Sequence, residues 1–227
     1  MRISALLVLS LLPTMALAAP YEPKDQYITN CHITPAINNT EHYPGRNAIV
    51  PSNKLALPAG KSHYADGELV TISGRVFDEN CVPVSDAIVE IWQTGPDGKY
   101  VKTTLSGRMS SAAYFTGSGR AITDNLGRFD FVTLFPGQET RKHKHEDVAI
   151  RAPFIHVRVM HEKFSPLTTE MFFGGDRRND TDKIFMKLPS EKQDLLAAHV
   201  WKRATPEDGV AVQWDITLRG KNEYRKF

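Results

Sequence analysis

The segment that decides the fold runs Leu69-Val-Thr-Ile-Ser-Gly-Arg-Val-Phe77, in which apolar residues recur at every second position over most of its length. Successive side chains of a β-strand point to opposite faces, so this period of two predicts a half-buried strand. A turn-forming stretch, Asp78-Glu-Asn-Cys81, follows it. The next apolar segment, Ala87-Ile-Val-Glu-Ile-Trp92, predicts a second strand.

Further strands are predicted toward the C-terminus, at residues 128–133, 154–160, 168–173 and 210–218. In the segment Phe154-Ile-His-Val-Arg-Val-Met160, alternation places Phe154, His156 and Arg158 on one face. The opposite face carries Ile155, Val157 and Val159, and we expect that apolar face to contact the core.

One short helix is expected late in the chain. Ser190-Glu-Lys-Gln193 has the pattern of a capping box, which predicts a helix from there to about Val200. Many short strands with a single late helix indicate an all-β sandwich rather than a fold of alternating strands and helices.

The first 67 residues lack this periodicity. Residues 1–18 combine Met1-Arg2, an apolar run and the small residues around Ala18, which is typical of a secretory signal peptide cleaved after Ala18. Residues 19–67 predict an extended arm, which leaves residues 68–227 as the sandwich domain. We therefore expect an exported protein, either periplasmic or secreted. No segment approaches the roughly 20 apolar residues that a membrane-spanning helix needs, so no membrane span is expected.

The net charge and the cysteine content indicate which partners and which covalent links to expect. The net charge of the 227 residues is +2, and the basic residues are scattered apart from Arg141 to His145, which argues against a nucleic-acid partner. The two cysteines, Cys31 and Cys81, predict a disulfide in an exported protein. Two buried free thiols are the alternative. Neither cysteine has a neighbouring ligand at zinc-binding spacing.

A long ordered set of motifs is similar to a known enzyme family. From Ser73 to the C-terminus the chain resembles the intradiol ring-cleavage dioxygenases, which include the catechol and protocatechuate 3,4-cleaving enzymes. The motifs that carry the resemblance are residues 73–78, 83, 86–93, 98–100, 119–120, 123–124, 127–129, 136–137, 151–153, 155–156, 167–169 and 173–176.

The resemblance implies an intradiol dioxygenase-like β-sandwich with a non-haem Fe(3+) ion held by two tyrosinates and two histidines. The substrates implied are a small aromatic diol and O2. Tyr100 matches the first tyrosine ligand, and His156 matches the second histidine of a His-x-His strand. Arg151 matches an arginine that stabilises charge on the substrate, and Glu170 stands where a glutamine lines the active site. Without that context, Tyr100 would be an ordinary strand-end tyrosine and His156 a hydrogen-bonded histidine on a sheet face.

Two ligand positions depart from the family pattern. Phe154 stands where the first histidine is expected, and Glu139 stands where the second tyrosine is expected. Phenylalanine cannot bind a metal, so Phe154 is expected to line the substrate pocket and make it more apolar, whereas a carboxylate can bind a metal. His143 and His145 lie in the following segment, and either could replace the missing imidazole. The alternative is that this segment is a solvated surface loop.

Three functions remain open at this stage. The first is an exported dioxygenase with an altered iron site, which could form a homo-oligomer. The second is a non-catalytic member of the same fold that has lost iron and acts as a binding or structural domain. The third is an exported zinc or copper binder that uses His143, His145 and His156.

Overall fold

The computed structural model describes residues 31–104, 107–109, 112–141, 149–202 and 209–220. Thirteen strands lie within these ranges: β1 (Leu69–Phe77), β2 (Ile88–Trp92), β3 (Lys102–Thr104), β4 (Gly107–Met109), β5 (Ser118–Ile122), β6 (Arg128–Leu134), β7 (Thr140–Arg141), β8 (Ala149–Ile150), β9 (Phe154–His161), β10 (Phe164–Phe173), β11 (Ala197–Lys202), β12 (Val210–Gln213) and β13 (Ile216–Thr217). One α-helix, α1, spans Ser190–Leu196, and 3₁₀ helices span Arg177–Thr181 and Phe185–Lys187.

Nine of these strands form one hydrogen-bonded sheet. The strand order is β13-β1-β12-β11-β10-β9-β2-β5, and β6 pairs with β1 beside this path. The strands β3 with β4 and β7 with β8 form two small hairpins. The fold is therefore the expected all-β sandwich with one short helix near the C-terminus. No helix in the described part of the chain is long and apolar enough to cross a membrane.

The core explains why these segments form strands. Alternate residues of β1, including Val70 and Ile72, are almost completely buried. On β9, Ile155, Val157 and Val159 are buried as the alternation predicts. The opposite face of β9 is also buried around His156, because Tyr100 and the N-terminal arm cover it. Strand β9 lies between β2 and β10, so His156 is on an interior strand of the sheet and not at its edge.

The N-terminal arm is tied into the fold at several points. A disulfide joins Cys31 to Cys81, with their Cα atoms 5.3 Å apart, which confirms the predicted pairing. The backbone N–H of Leu55 donates to the carbonyl of Val132, and the side chain of Leu55 is fully buried. The arm thus contributes core residues and does not simply cover a core made elsewhere. The predicted signal peptide lies outside the described residues.

The late helix begins at Ser190 as predicted, but its predicted end was wrong. Helix α1 stops at Leu196, and the segment expected to continue it to Val200 is strand β11. This strand pairs with β10 and β12, so sheet hydrogen bonds replace the helical ones. The capping box does not form, because Pro189 is the N-cap residue and Ser190 already lies inside the helix.

The predicted strand 210–218 is interrupted. Strands β12 and β13 both pair with β1, and the pairing is interrupted between them at Trp214 and Asp215. The Asp215 carboxylate accepts the backbone N–H of Arg75 at 2.9 Å, so it supplies the acceptor that the ladder lacks there. A Cβ atom on Gly74 would lie 1.9 Å from the carbonyl oxygen of Trp214, which requires glycine at this close approach.

Candidate metal centre and active site

Tyr100 reaches the site through a tight turn after β2. An isolated bridge pairs Thr94 with Tyr100, and the backbone N–H of Gly95 donates to the Lys99 carbonyl. Gly98 has a φ of 74°, and a Cβ atom there would lie 2.3 Å from the Gln138 carbonyl oxygen. Glycine therefore allows the turn to pack against the segment that carries Glu139.

His156 is fully buried at the centre of the sheet. Its Nε2 atom lies 2.9 Å from the Tyr100 hydroxyl oxygen. The Trp92 ring stacks on its imidazole with the ring centroids 4.7 Å apart and the planes 7° apart. Burial, reinforced by the nearby guanidinium of Arg151, holds the pKa of His156 well below its usual value. The imidazole is therefore neutral, and one of its nitrogens carries a free lone pair.

The second ring nitrogen of His156 faces a carboxylate. Nδ1 is buried and has no hydrogen-bond partner among the described residues. It lies 3.8 Å from Oε1 of Glu170. An N–H on Nδ1 directed toward Glu170 leaves the Nε2 lone pair directed at Tyr100. Metal-bound histidines commonly have this arrangement, in which a carboxylate orients the ring from behind.

Glu139 supplies the third donor. It is buried, and its Oε2 atom lies 3.4 Å from the Tyr100 hydroxyl oxygen. Burial and the Glu139 carboxylate both raise the pKa of the Tyr100 phenol far above its usual value, so the phenol is protonated at neutral pH. The guanidinium of Arg141 donates to Oε1 of Glu139 at 3.0 Å and to Oε2 at 3.2 Å. This contact partly neutralises the carboxylate.

His42 of the N-terminal arm is a site residue that the sequence did not reveal. Its ring stacks on Tyr100 with centroids 4.2 Å apart, and its Nε2 atom lies 3.4 Å from Oε1 of Glu139. His42 adopts a φ of 59°, which is unusual for a residue with a side chain. Such a backbone costs on the order of 1 kcal/mol and persists only where surrounding contacts enforce it. No local pattern around residue 42 signals this position.

Arg151 lies in a buried ion network behind His156. Its Nη2 atom lies 2.6 Å from Oε2 of Glu170, and its Nε atom lies 2.7 Å from Oδ2 of Asp182. Burial works to lower the pKa of Arg151, but the two carboxylates outweigh it and raise that pKa. Asn39 of the arm donates to Oε1 of Glu170 at 2.9 Å. Neither Asp182 nor Asn39 was expected from the sequence.

Phe154 packs inside this network rather than beside open space. The Arg151 guanidinium lies 4.1 Å from the centre of its ring, and the His156 ring meets its edge at a centroid distance of 4.8 Å. Phe154 is buried, and Glu170 is fully buried. The expected role of these two residues in a substrate pocket stays a prediction, as does the expected contact of Arg151 with substrate.

The remaining predicted ligands, His143 and His145, lie outside the described residues. Within the described ranges, no three His, Cys, Asp or Glu side chains are grouped closely enough to hold a metal ion. A centre at this place therefore depends on the phenol of Tyr100.

The Tyr100 hydroxyl oxygen lies close enough to a donor atom of His156 and to one of Glu139 for each pair to bind the same metal ion. The Tyr100 oxygen lies 2.9 Å from the imidazole nitrogen and 3.4 Å from the carboxylate oxygen. Metal bonds of roughly 2.1 Å at right angles place neighbouring donors about 3 Å apart. A hard phenolate, a carboxylate and an imidazole are suitable ligands for iron. The residues do not fit a centre with two tyrosinates and two histidines.

Comparison with known proteins agrees with the fold. The family model described as Dioxygenase matches residues 45–220. The protocatechuate 3,4-dioxygenase beta chain of Burkholderia cepacia is 35% identical over 159 residues, which cover 69% of this chain and 66% of that relative. The alpha chain from the same organism is 30% identical over 173 residues, covering 74% and 81%. This chain thus spans about two thirds of the length of the beta chain.

The fold also matches a solved structure. The 3-chlorocatechol 1,2-dioxygenase of Rhodococcus opacus 1CP superposes with a TM-score of 0.62 at 20% identity, covering 85% of this chain and 74% of that one. Because the family model spans most of the chain and its relatives share this architecture, the chain belongs to the intradiol ring-cleavage dioxygenase family.

Proposed function

We propose that this chain is an iron-dependent intradiol dioxygenase that opens the ring of a small catecholic diol with O2. The observation that carries the proposal is the convergence of Tyr100, Glu139 and His156. These three residues would hold Fe(3+), which when bound supplies the Lewis acidity that activates a catecholate toward O2.

The chain's own residues prepare this centre. Stacking on Trp92 holds the His156 ring so that Nε2 is directed at Tyr100, and the Glu170 carboxylate lies 3.8 Å from Nδ1 on the other side of the ring. Tyr100 must lose its proton to bind a cation, and the buried Glu139 carboxylate beside it opposes that loss in the absence of a cation. The Tyr100 phenol, once its proton had passed to solvent, and the Glu139 carboxylate would be the anionic ligands of a bound cation.

Arg151 acts on the site through its electric field. Its positive charge works to lower the pKa of both Tyr100 and His156. It therefore favours negative charge where a phenolate and a substrate anion would lie. Its guanidinium is engaged by Glu170 and Asp182, which fix its position.

Isotope labelling tests the activity directly. Purified protein loaded with iron should convert catechol and ¹⁸O2 into a ring-opened dicarboxylic acid that contains both ¹⁸O atoms. Intradiol cleavage breaks the bond between the two hydroxylated carbons and adds one oxygen atom to each. The Tyr100→Phe variant should give no product. Iron-loaded protein that leaves a panel of catechols intact would contradict the proposal.

A second candidate is a metal-free relative that acts as a binding or structural domain. The contact of Arg141 with both oxygens of Glu139 favours this candidate, because it satisfies the carboxylate without a metal. Phe154 favours it as well, since it removes a donor. An Arg141→Ala variant separates the two candidates, because it should bind iron at least as well as wild type if Glu139 is a ligand.

The location and assembly of the protein are also proposals. The Cys31–Cys81 disulfide supports export to an oxidising compartment, in line with the expected signal peptide. Two similar proteins are named as the beta and alpha chains of one enzyme, which supports assembly into an oligomer. Light scattering on the purified protein would test the assembly.

A further inference from the structure

The arm places a planar ring directly against the candidate ligands. The imidazole of His42 stacks on Tyr100 with the planes 21° apart and the centroids 4.2 Å apart. Its Nε2 atom lies 3.4 Å from Glu139. A planar aromatic ring that carries a hydrogen-bond donor would make the same two contacts. His42 is therefore chemically similar to a phenolic ligand at this position.

The neighbouring arm residues hold His42 there. Asn39 donates to Glu170 at 2.9 Å, Glu41 pairs with Arg141 at 3.1 Å, and the Tyr43 hydroxyl donates to Glu90 at 2.9 Å. The indole N–H of Trp92 donates to the Glu41 carbonyl. These contacts enforce the left-handed backbone of His42, whose φ is 59°.

Little space remains beside Tyr100 while His42 is in place. The cavity lined by His42, Trp92 and Tyr100, whose lining does not include Glu139 or His156, has a volume of about 20 Å³. That volume holds about one water molecule, whereas a cavity of roughly 150 Å³ accommodates benzene. The side chain of His42 is 42% exposed, so its outer edge faces solvent.

We propose that His42 is the residue that determines which substrates enter the site. The His42 ring covers the face of Tyr100 on which a substrate ring would stack, so a substrate must displace it. Only planar aromatics that replace both the stacking on Tyr100 and the polar contact with Glu139 do so efficiently. This inference rests on the proposed function, because it assumes that the Tyr100 site takes an aromatic diol.

Binding of a chromophoric catechol tests the inference. 4-Nitrocatechol is titrated anaerobically into the iron-loaded wild-type protein and into His42→Gly, with the dissociation constant read from the absorbance change. Glycine accepts the left-handed backbone and removes the ring. If the closed state is populated above about 90%, the variant should bind at least about tenfold more tightly. His42→Asn also tolerates this backbone and should behave similarly.

Two controls distinguish the loss of the His42 ring from a general disturbance of the protein by the substitution. His63→Gly removes an exposed histidine that contacts Tyr114 and none of the candidate ligands, and it should bind like wild type. Free imidazole should weaken binding to His42→Gly more than binding to wild type, because it refills the vacated position. Thermal melting shows whether each variant is folded.

Each outcome decides between the two proposals. Tighter binding by His42→Gly that free imidazole reverses would support the role of His42. Equal or weaker binding by folded His42→Gly and His42→Asn would overturn that role and leave the proposed function intact. A wild-type protein and variants that all fail to bind 4-nitrocatechol would overturn both.

Discussion

The hydroxyl oxygen of Tyr100 lies 2.9 Å from Nε2 of His156, although 56 residues separate them in the chain. One residue follows a glycine turn, and the other lies on a central strand. Their contact brings a phenol and a neutral imidazole together beside the Glu139 carboxylate. This arrangement leads to predictions about pH, stability and metal binding.

Metal affinity should depend on pH through Tyr100. Because burial and Glu139 raise the pKa of the phenol, it is protonated until a metal displaces its proton. The apparent association constant for iron should therefore rise about tenfold per pH unit between pH 6 and 8, with one proton released from this group. Calorimetric titrations in buffers of different ionisation enthalpy measure the number of protons released. Tyr100→Phe should release one proton fewer.

Protein stability should fall in mild acid through His156. Its folded-state pKa lies well below the unfolded value of about 6.5, so only the unfolded chain gains a proton as the pH falls below that value. The free energy of unfolding should lose up to about 1.4 kcal/mol per pH unit from this group below pH 6.5, with no loss above it. Urea unfolding at pH 7.5, 6.5 and 5.5 measures the slope. The His156→Gln variant should show a shallower slope, and an identical slope would contradict this prediction.

Removal of Arg151 should destabilise the fold. Arg151→Met leaves Glu170 and Asp182 buried without their shared cation. Breaking a buried ion pair from one side costs about 3–5 kcal/mol. Urea unfolding measures this loss. Adding Glu170→Gln to Arg151→Met should recover part of it, because it removes one of the stranded charges. Strictly additive losses would show that Arg151 and Glu170 are not coupled.

The disulfide should contribute strongly to stability. It closes a chain segment with a sequence separation of 50 residues. Cross-links of this span stabilise by about 4 kcal/mol in the chain-entropy description. The Cys31→Ala, Cys81→Ala double variant should lose a similar free energy of unfolding. Reduced wild-type protein should unfold at the same urea concentration as the variant if no other effect contributes.

The strands were predictable because their side chains alternate between core and surface. Strand β1 follows that period closely, whereas on β9 the apolar face with Val157 is buried as predicted and the opposite face around His156 is buried as well. The end of α1 was not predictable, because Ala197 and Ala198 suit a helix as well as a strand. Their pairing with Phe172 and Phe173 of β10 decides the outcome. That pairing is a property of the tertiary structure.

The candidate site was predictable only where a motif marks it. Tyr100, Glu139 and His156 were identified by resemblance, and the structure brings all three together. His42 and Arg141 were missed as site residues, because an isolated polar residue carries no periodic signal. The contact of His42 with Glu139 forms only when the arm folds over the sheet, whereas Arg141 contacts Glu139 from two residues along the chain.

Iron content combined with the visible spectrum tests the central claim most directly. Protein purified from its native compartment or reconstituted with Fe(3+) should contain about one iron per chain. It should show a single tyrosinate-to-iron charge-transfer band that is weaker than that of a centre with two tyrosinates, and Tyr100→Phe should abolish the band. Colourless protein that takes up no iron, or an iron band unchanged in Tyr100→Phe, would contradict the claim that Tyr100, Glu139 and His156 form the metal centre.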